Sequence, residues 1–230
     1  MRKISIIING PGIAEVKSLY GQASDWVQKV LRSYSDLEVR VVKGYEMEEL
    51  DPNDDSAWII TGSAHSVYDD FPWIDHLRNK LKEAKETRIP VLGICFGHQL
   101  IADTFGGEVE LNKKGWEIGS CRVNLLQESE SCSLFSSFSD SIDVYQSHQD
   151  VVTRIPEDAT LLAENDMGIQ SFVYDNIFYG VQFHPEFTKD VMEKYLKIRY
   201  EKGILKEIPV VEECKNSSKI LNNFIDNIVK

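Results

Sequence analysis

Long apolar runs are missing from this 230-residue chain. No stretch approaches the roughly 20 apolar residues of a membrane-spanning helix, so no membrane partner is expected. Clustered cations are also scarce: 25 Lys and Arg face 37 Asp and Glu, a formal charge of -12. Phosphate backbones are held by clustered Lys and Arg, which argues against nucleic acid as the main partner. Lys113-Lys114 is too short to be such a footprint. The four cysteines, Cys95, Cys121, Cys132 and Cys214, form no CxxC and no even ladder of spacings. That excludes a disulfide framework and a zinc pattern, and points to a reducing compartment. Met1-Arg2-Lys3 and the apolar Ile4–Ile8 stop at Asn9-Gly10-Pro11-Gly12, too short for a secretory leader. They read as a first strand, and the expected location is cytoplasmic.

What is present is an ordinary globular composition, 42% hydrophobic and 27% charged. A chain this long buries roughly 70–75% of its unfolded surface, enough for a core without disulfides or metal. The expected organisation is one domain over residues 1–230, with a core in about 1–200 and a C-terminal helical extension in about 201–230.

Strands are predicted at Ile4–Ile8, Leu37–Val42, Trp58–Ile60 and Ile89–Ile94. Between them, apolar residues at helical spacing predict one helix from Val16 to Leu31 and a second opened by Pro72. Gln99–Phe105 is a third, closed by Gly106-Gly107. Alternating strands and amphipathic helices mean an α/β fold, a mostly parallel sheet covered on both faces. Short β-like runs follow at Gly119–Leu125, Ile142–Tyr145, Thr160–Ala163, Ile169–Tyr174 and Ile177–Phe183, read as antiparallel additions. Helices are expected at Thr188–Gly203 and at Ser217–Val229, the latter capped by Ser217 or Ser218.

The most informative segment is Gly93-Ile94-Cys95-Phe96-Gly97-His98-Gln99, where an apolar strand runs into Gly-x-Cys-x-Gly and then a helix. In the serine version of this elbow the turn presents a nucleophile above the sheet edge. A helix N-terminus favours thiolate over thiol, and the N–H of Phe96 is left free for a developing oxyanion. Most free cysteines are merely small buried residues, but few stand in that context. Cys95 and His98 alone are too few ligands for a metal site, and none is assigned.

A cysteine nucleophile needs a nearby histidine and a group to orient it. His76 sits among helical charges and His98 in the elbow helix, pointing away from the thiolate. His65 lies in the loop after a strand, without an obvious partner. His148, in the polar stretch Gln146–Asp150, reads as a substrate contact. His184 ends a buried strand and is followed by Pro185 and Glu186. Residues two apart on extended chain share a side, and Pro185 keeps His184 out of the helical region. Glu186 can therefore hold the imidazole's tautomer and orientation. Thr61-Gly62-Ser63-Ala64-His65-Ser66 puts small residues straight after a central strand, where open α/β sheets bind ligands. A second oxyanion donor could come from it.

With these three elements in that order, residues 1–190 resemble the class I glutamine amidotransferases, the Cys-His-Glu domains that hydrolyse glutamine and pass on ammonia. The resemblance implies Cys95 as nucleophile, His184 as general base and acid, and Glu186 as orienter. It implies oxyanion N–H groups from Gly62 or Ser63, with Phe96. Many synthetase-linked members carry Gly-Gly-Pro where this chain has Gly62-Ser63-Ala64, so the second donor is left open between Gly62 and Ser63. Gln99 and the Ser147-His148-Gln149 loop would hold the glutamyl backbone. No cofactor is implied. No ATP-pyrophosphatase or P-loop motif occurs, so an ammonia-accepting synthetase would be a separate partner.

Lys114–Gly119, His148-Gln149-Asp150 and the helical tail are similar to those of stand-alone γ-glutamyl peptidases, and the chain also resembles the glutaminase domain of GMP synthase. Glutamine is the first expected substrate and a γ-glutamyl peptide the alternative. A catalytically silent binding domain would be expected to lack a member of the triad, and none is missing.

Overall fold

The computed structural model describes residues 1–230. β1 (Arg2–Ile8) is the seed of the sheet. Its alternating isoleucines send Ile4 and Ile6 into one core and Ile7 into another on the opposite face. Parallel neighbours follow the same two-faced rule: β2 (Leu37–Lys43) and β3 (Ala57–Ile60) flank β1, and β4 (Val91–Ile94) pairs with β3. The last parallel strand, β11 (Phe178–Val181), adds to β4. Both neighbours of β4 are therefore parallel to it, and its C-terminal end is central to the sheet.

Antiparallel strands extend the other half: β10 (Gly168–Tyr174), β9 (Thr160–Asn165), β6 (Glu117–Leu125) and β7 (Ser141–His148), giving one nine-stranded sheet. The alternation of parallel and antiparallel halves follows the sequence pattern. Two strands escape it. β5 (Glu108–Leu111) and β8 (Asp150–Arg154) form a small separate sheet. β7 also runs on through Gln146-Ser147-His148, which the polar sequence places in a loop. The polar side chains are tolerated there because neighbouring strands bond them: Gln146 Nε2 donates to Gln170 Oε1 at 2.6 Å, leaving only its Oε1 unpartnered, and His148 Nε2 bonds Glu117 Oε2 at 2.9 Å.

Helices α3 (Pro72–Thr87) and α4 (Phe96–Thr104) cover one face of the sheet with Ile74, Leu77, Leu81, Leu100 and Ile101. The single helix expected from Val16 to Leu31 is two, α1 (Ala14–Tyr20) and α2 (Ala23–Leu31). Gly21 takes φ 80° and ends α1, while Asp25 accepts a hydrogen bond from the Gln22 N–H at 2.8 Å and opens α2. The continuous apolar period across the break reflects two helices that each bury one face, not one rod. α5 (Lys189–Glu201) packs against α1, with Thr188 as a side-chain N-cap.

α6 (Lys219–Asn227) lies in the expected C-terminal helical extension and packs into the main core. Ile220, Leu221, Phe224 and Ile225 are fully buried and pack with Val27 and Leu31 in the main core, so the C-terminal helix seals the sheet. Neither serine side chain caps it: Ser217 Oγ donates to the Cys214 carbonyl at 3.1 Å, and Ser218 is itself helical. No helix is long and apolar enough to cross a membrane.

Between β4 and α4 the chain turns within a single residue. A Cβ on Gly97 would lie 2.4 Å from the Ile60 carbonyl oxygen, and one on Gly93 would lie 2.4 Å from the Gly97 carbonyl. Both glycines are required for close approach rather than for a left-handed backbone. Gly97→Ala is therefore expected to destabilise the fold by about 1–3 kcal/mol, the usual range for overpacking. Urea unfolding would measure it, and an unchanged midpoint would contradict the contact.

Candidate active site

The strain that the glycines avoid falls on Cys95, whose backbone sits at φ 54°, ψ -101°. Non-glycine residues rarely take positive φ, and such a conformation costs on the order of 1–3 kcal/mol. Its N–H bonds the Val181 carbonyl at 2.9 Å and its carbonyl receives the Gln99 N–H at 3.1 Å. The turn is thus pinned to β11 on one side and to α4 on the other. Phe96 is the first residue of α4, so its N–H has no intrahelical acceptor.

β11 delivers the histidine. His184 follows its C-terminal end, and its N–H bonds the Tyr145 carbonyl at 2.9 Å. Its Nδ1 donates to Glu186 Oε1 at 2.8 Å, and both side chains are almost wholly buried. Phe187 stacks on the imidazole with ring centroids 4.1 Å apart, fixing its plane. Burial alone would hold the ring neutral, but the negative charges of Glu186 and Cys95 outweigh it and push its pKa up to about 10. The imidazole is thus held as an imidazolium at neutral pH.

The loop after β3 closes the third side. A Cβ on Gly62 would stand 3.1 Å from His184 Cε1 and 3.9 Å from Cys95 Sγ, so Gly62 borders both. Ser63 Oγ donates to the Asn9 carbonyl at 2.7 Å, and Asn9 Nδ2 donates to the Thr61 carbonyl at 2.7 Å. These bonds tie the loop to the end of β1. The backbone N–H groups of Gly62 and Ser63 have no hydrogen-bond acceptor within the chain. Both residues line the same cavity as Cys95.

Of the residues expected to hold the glutamyl backbone, only Ser147 reaches the cavity wall. Gln99 is buried behind it, with Nε2 donating to the Asp150 carbonyl and to Gln182 Oε1 at 3.0 and 3.1 Å. His148 is equally committed, Nδ1 to the Asp150 carbonyl and Nε2 to Glu117, both at 2.9 Å. Gln149 does not line the cavity, and its carbonyl accepts the Asn112 N–H at 2.7 Å. The side chains of Gln99 and His148 thus brace the strands behind the cavity. His98 is fully buried against Phe172, its pKa driven down to about 3 by burial and by His148. His65 lines the cavity rim and lies 3.4 Å from Asp69.

The cavity has a volume of about 330 Å³, in the range that takes small molecules. Besides Cys95, His184 and Glu186, its wall includes Trp26 of α2, Lys17 of α1, and Tyr195 and Arg199 of α5. Sequence reasoning did not find these. The only signal was the glycine-rich turn Asn9-Gly10-Pro11-Gly12 at the end of β1, which stands at the same sheet edge and lines the same cavity. A desolvated thiol, an imidazolium held by a buried carboxylate, and free N–H donors can together attack a carbonyl and stabilise the resulting oxyanion.

The chain is similar to known proteins along most of its length. The family model for glutamine amidotransferase class-I matches residues 15–201. A glutamine amidotransferase-like protein of Schizosaccharomyces pombe is 32% identical over 236 residues, spanning 96% of this chain and 93% of its own. Gamma-glutamyl peptidase 3 of Arabidopsis thaliana is 32% identical over 66% of this chain and 63% of its own length. The glutamine-hydrolyzing GMP synthase subunit of Methanosphaera stadtmanae is 34% identical over 78% and 94% respectively. In fold, a glutamine amidotransferase crystal structure from Thermotoga maritima superposes with a TM-score of 0.77 over 97% of this chain and 94% of that one, at 22% identity. With most of its length under the family model and the fission-yeast relative matched almost end to end, the chain belongs to the class-I glutamine amidotransferases.

Proposed function

We propose that the protein hydrolyses γ-glutamyl amides through a covalent thioester on Cys95, with L-glutamine as first substrate. The observation that carries this reading is the convergence of three sheet-edge elements: Cys95 at the end of β4, His184 with Glu186 after β11, and Gly62 after β3. The Cys95 thiolate attacks the γ-carbonyl carbon, and the carbonyl electron pair moves onto oxygen. That oxyanion is received by the free N–H groups of Gly62 or Ser63 and of Phe96. As the tetrahedral species collapses, the C–N bond breaks and the His184 imidazolium gives its proton to the leaving nitrogen. Neutral His184 then takes a proton from water, whose oxygen attacks the thioester and releases glutamate and the thiolate. Glu186 keeps the imidazole oriented and stabilises its charged form throughout.

A γ-glutamyl peptide is the second reading, favoured by the shape of the cavity. Its wall includes Lys17, Gln22 and Trp26 as well as Cys95, and its volume of about 330 Å³ leaves room for a substrate larger than glutamine. Under the first reading a separate synthetase takes up the ammonia; under the second no acceptor is needed. The name of the Arabidopsis relative agrees with the second and that of the archaeal relative with the first.

The deciding experiment is glutamate release from L-glutamine, glutathione and a γ-glutamyl dipeptide, with Cys95→Ala as control. Cys95→Ala is expected to lose at least about a thousandfold in turnover while keeping its fold by circular dichroism. Robust release by that variant would sink the mechanism. Faster release from the peptides would select the peptidase reading.

The pH profile tests Glu186. Because His184 is held charged up to about pH 10, the alkaline fall of kcat/KM should come as the pH rises through that value and the proton donor is lost. Glu186→Gln removes the adjacent negative charge and should bring that alkaline limb down by about 1–3 units, with lower turnover. An unmoved limb would remove Glu186 from the triad.

A further inference from the structure

The cavity holds a cation with no carboxylate partner of its own. Arg199, one turn beyond Tyr195 on α5, lines it together with Cys95 and Ser147. The guanidinium is fixed in place: Nη2 donates to Ser147 Oγ at 2.8 Å, and Cζ stands 4.0 Å from the centroid of the Trp116 ring. Its bond to Ser147 is its only side-chain hydrogen bond, and Nε is buried without an acceptor. Other arginines of this acidic protein find carboxylates. Arg78 takes Asp75 and Asp103, Arg88 takes Asp175, and Arg122 takes Asp143. The single carboxylate in the cavity wall, Glu186, is engaged by His184 instead.

Such a guanidinium is unfavourable until an anion arrives. Burial lowers its affinity for its own proton, and the ionisable groups that face it are Tyr195 and Cys95. Lys17, the other cation in the wall apart from the paired His184, is exposed. A planar fork clamped by a ring and a hydroxyl matches the two oxygens of a carboxylate.

We propose that Arg199 is the receptor for a carboxylate of the substrate and holds it while Cys95 attacks. This deepens the γ-glutamyl reading and rests on it for the identity of the substrate. Every γ-glutamyl amide carries an α-carboxylate, and a γ-glutamyl peptide carries a second one on its leaving amino acid.

The test compares Arg199→Met and Arg199→Lys with the wild type on γ-glutamylglycine and γ-glutamyl methylamide. The Met variant should raise KM for γ-glutamylglycine roughly ten- to a hundredfold, the effect falling on KM more than on kcat, and Lys should restore part of it. An equal rise for the methylamide assigns the α-carboxylate, and no rise for the methylamide assigns the carboxylate of the leaving residue. A second readout needs no turnover: protection of Cys95 from iodoacetamide by excess γ-glutamylglycine, followed by mass spectrometry, with each protein's unprotected rate as its reference. Protection should weaken in the Met variant by the same factor. An unchanged KM together with equal protection of both proteins overturns the carboxylate role. If the wild type releases no glutamate but protection still depends on Arg199, the hydrolase reading fails and the carboxylate site stands.

Discussion

The contact between Gly97 and the Ile60 carbonyl governs the site, because it sets how closely α4 can approach the end of β3. With α4 that close, the link from β4 has no room to relax, and Cys95 is left in a backbone conformation that L-residues avoid. The penalty of on the order of 1–3 kcal/mol is offset by the packing of Leu100 and Ile101 into a fully buried core. In return the thiol stands clear of the sheet edge at a helix start. Gly62 on β3's loop and His184 beyond β11 then need only follow their own strands to reach it.

Electrostatics completes what packing begins. Burying Glu186 and His184 separately would be costly, and together they form an ion pair at 2.8 Å. Glu186 Oε2 nevertheless has no partner, so the pair is not optimised for stability. Its value lies in the charged imidazole, which burial opposes and the neighbouring anions restore. Arg199 follows the same logic with one difference: its anion is to come from outside the chain. A protein of net charge -12 thereby presents a cavity whose unpaired side-chain charges, Lys17 and Arg199, are positive.

The parts of this arrangement that lie at strand ends were legible in the sequence. Cys95 stood out because glycines at two-residue spacing bracket it between an apolar strand and a helix, and His184 because a buried strand runs directly into His-Pro-Glu. The polar stretch around His148 was misleading. Its residues look like a substrate loop, yet Glu117, Gln146, Gln170 and His148 hydrogen-bond one another inside the sheet, a match that only the register of β6, β7 and β10 creates. Gln99 was similarly spent on Gln182 and Asp150. Arg199 was invisible for the opposite reason: on a helix rich in Lys and Glu, one more cation reads as solvated surface. Only the approach of α5 to Ser147 and Trp116 gives it a role. The break at Gly21 was hidden by an apolar period that continues across it.

The claim on which the rest depends is that Cys95 carries the γ-glutamyl group between the two half-reactions. It is tested most directly by quenching the wild type with acid during turnover of L-glutamine or γ-glutamylglycine and mapping adducts by peptide mass spectrometry. The expected result is a γ-glutamyl adduct on the peptide containing Cys95 and none on those containing Cys121, Cys132 or Cys214. Steady glutamate release with no adduct at Cys95, or with the adduct on another cysteine, would contradict it.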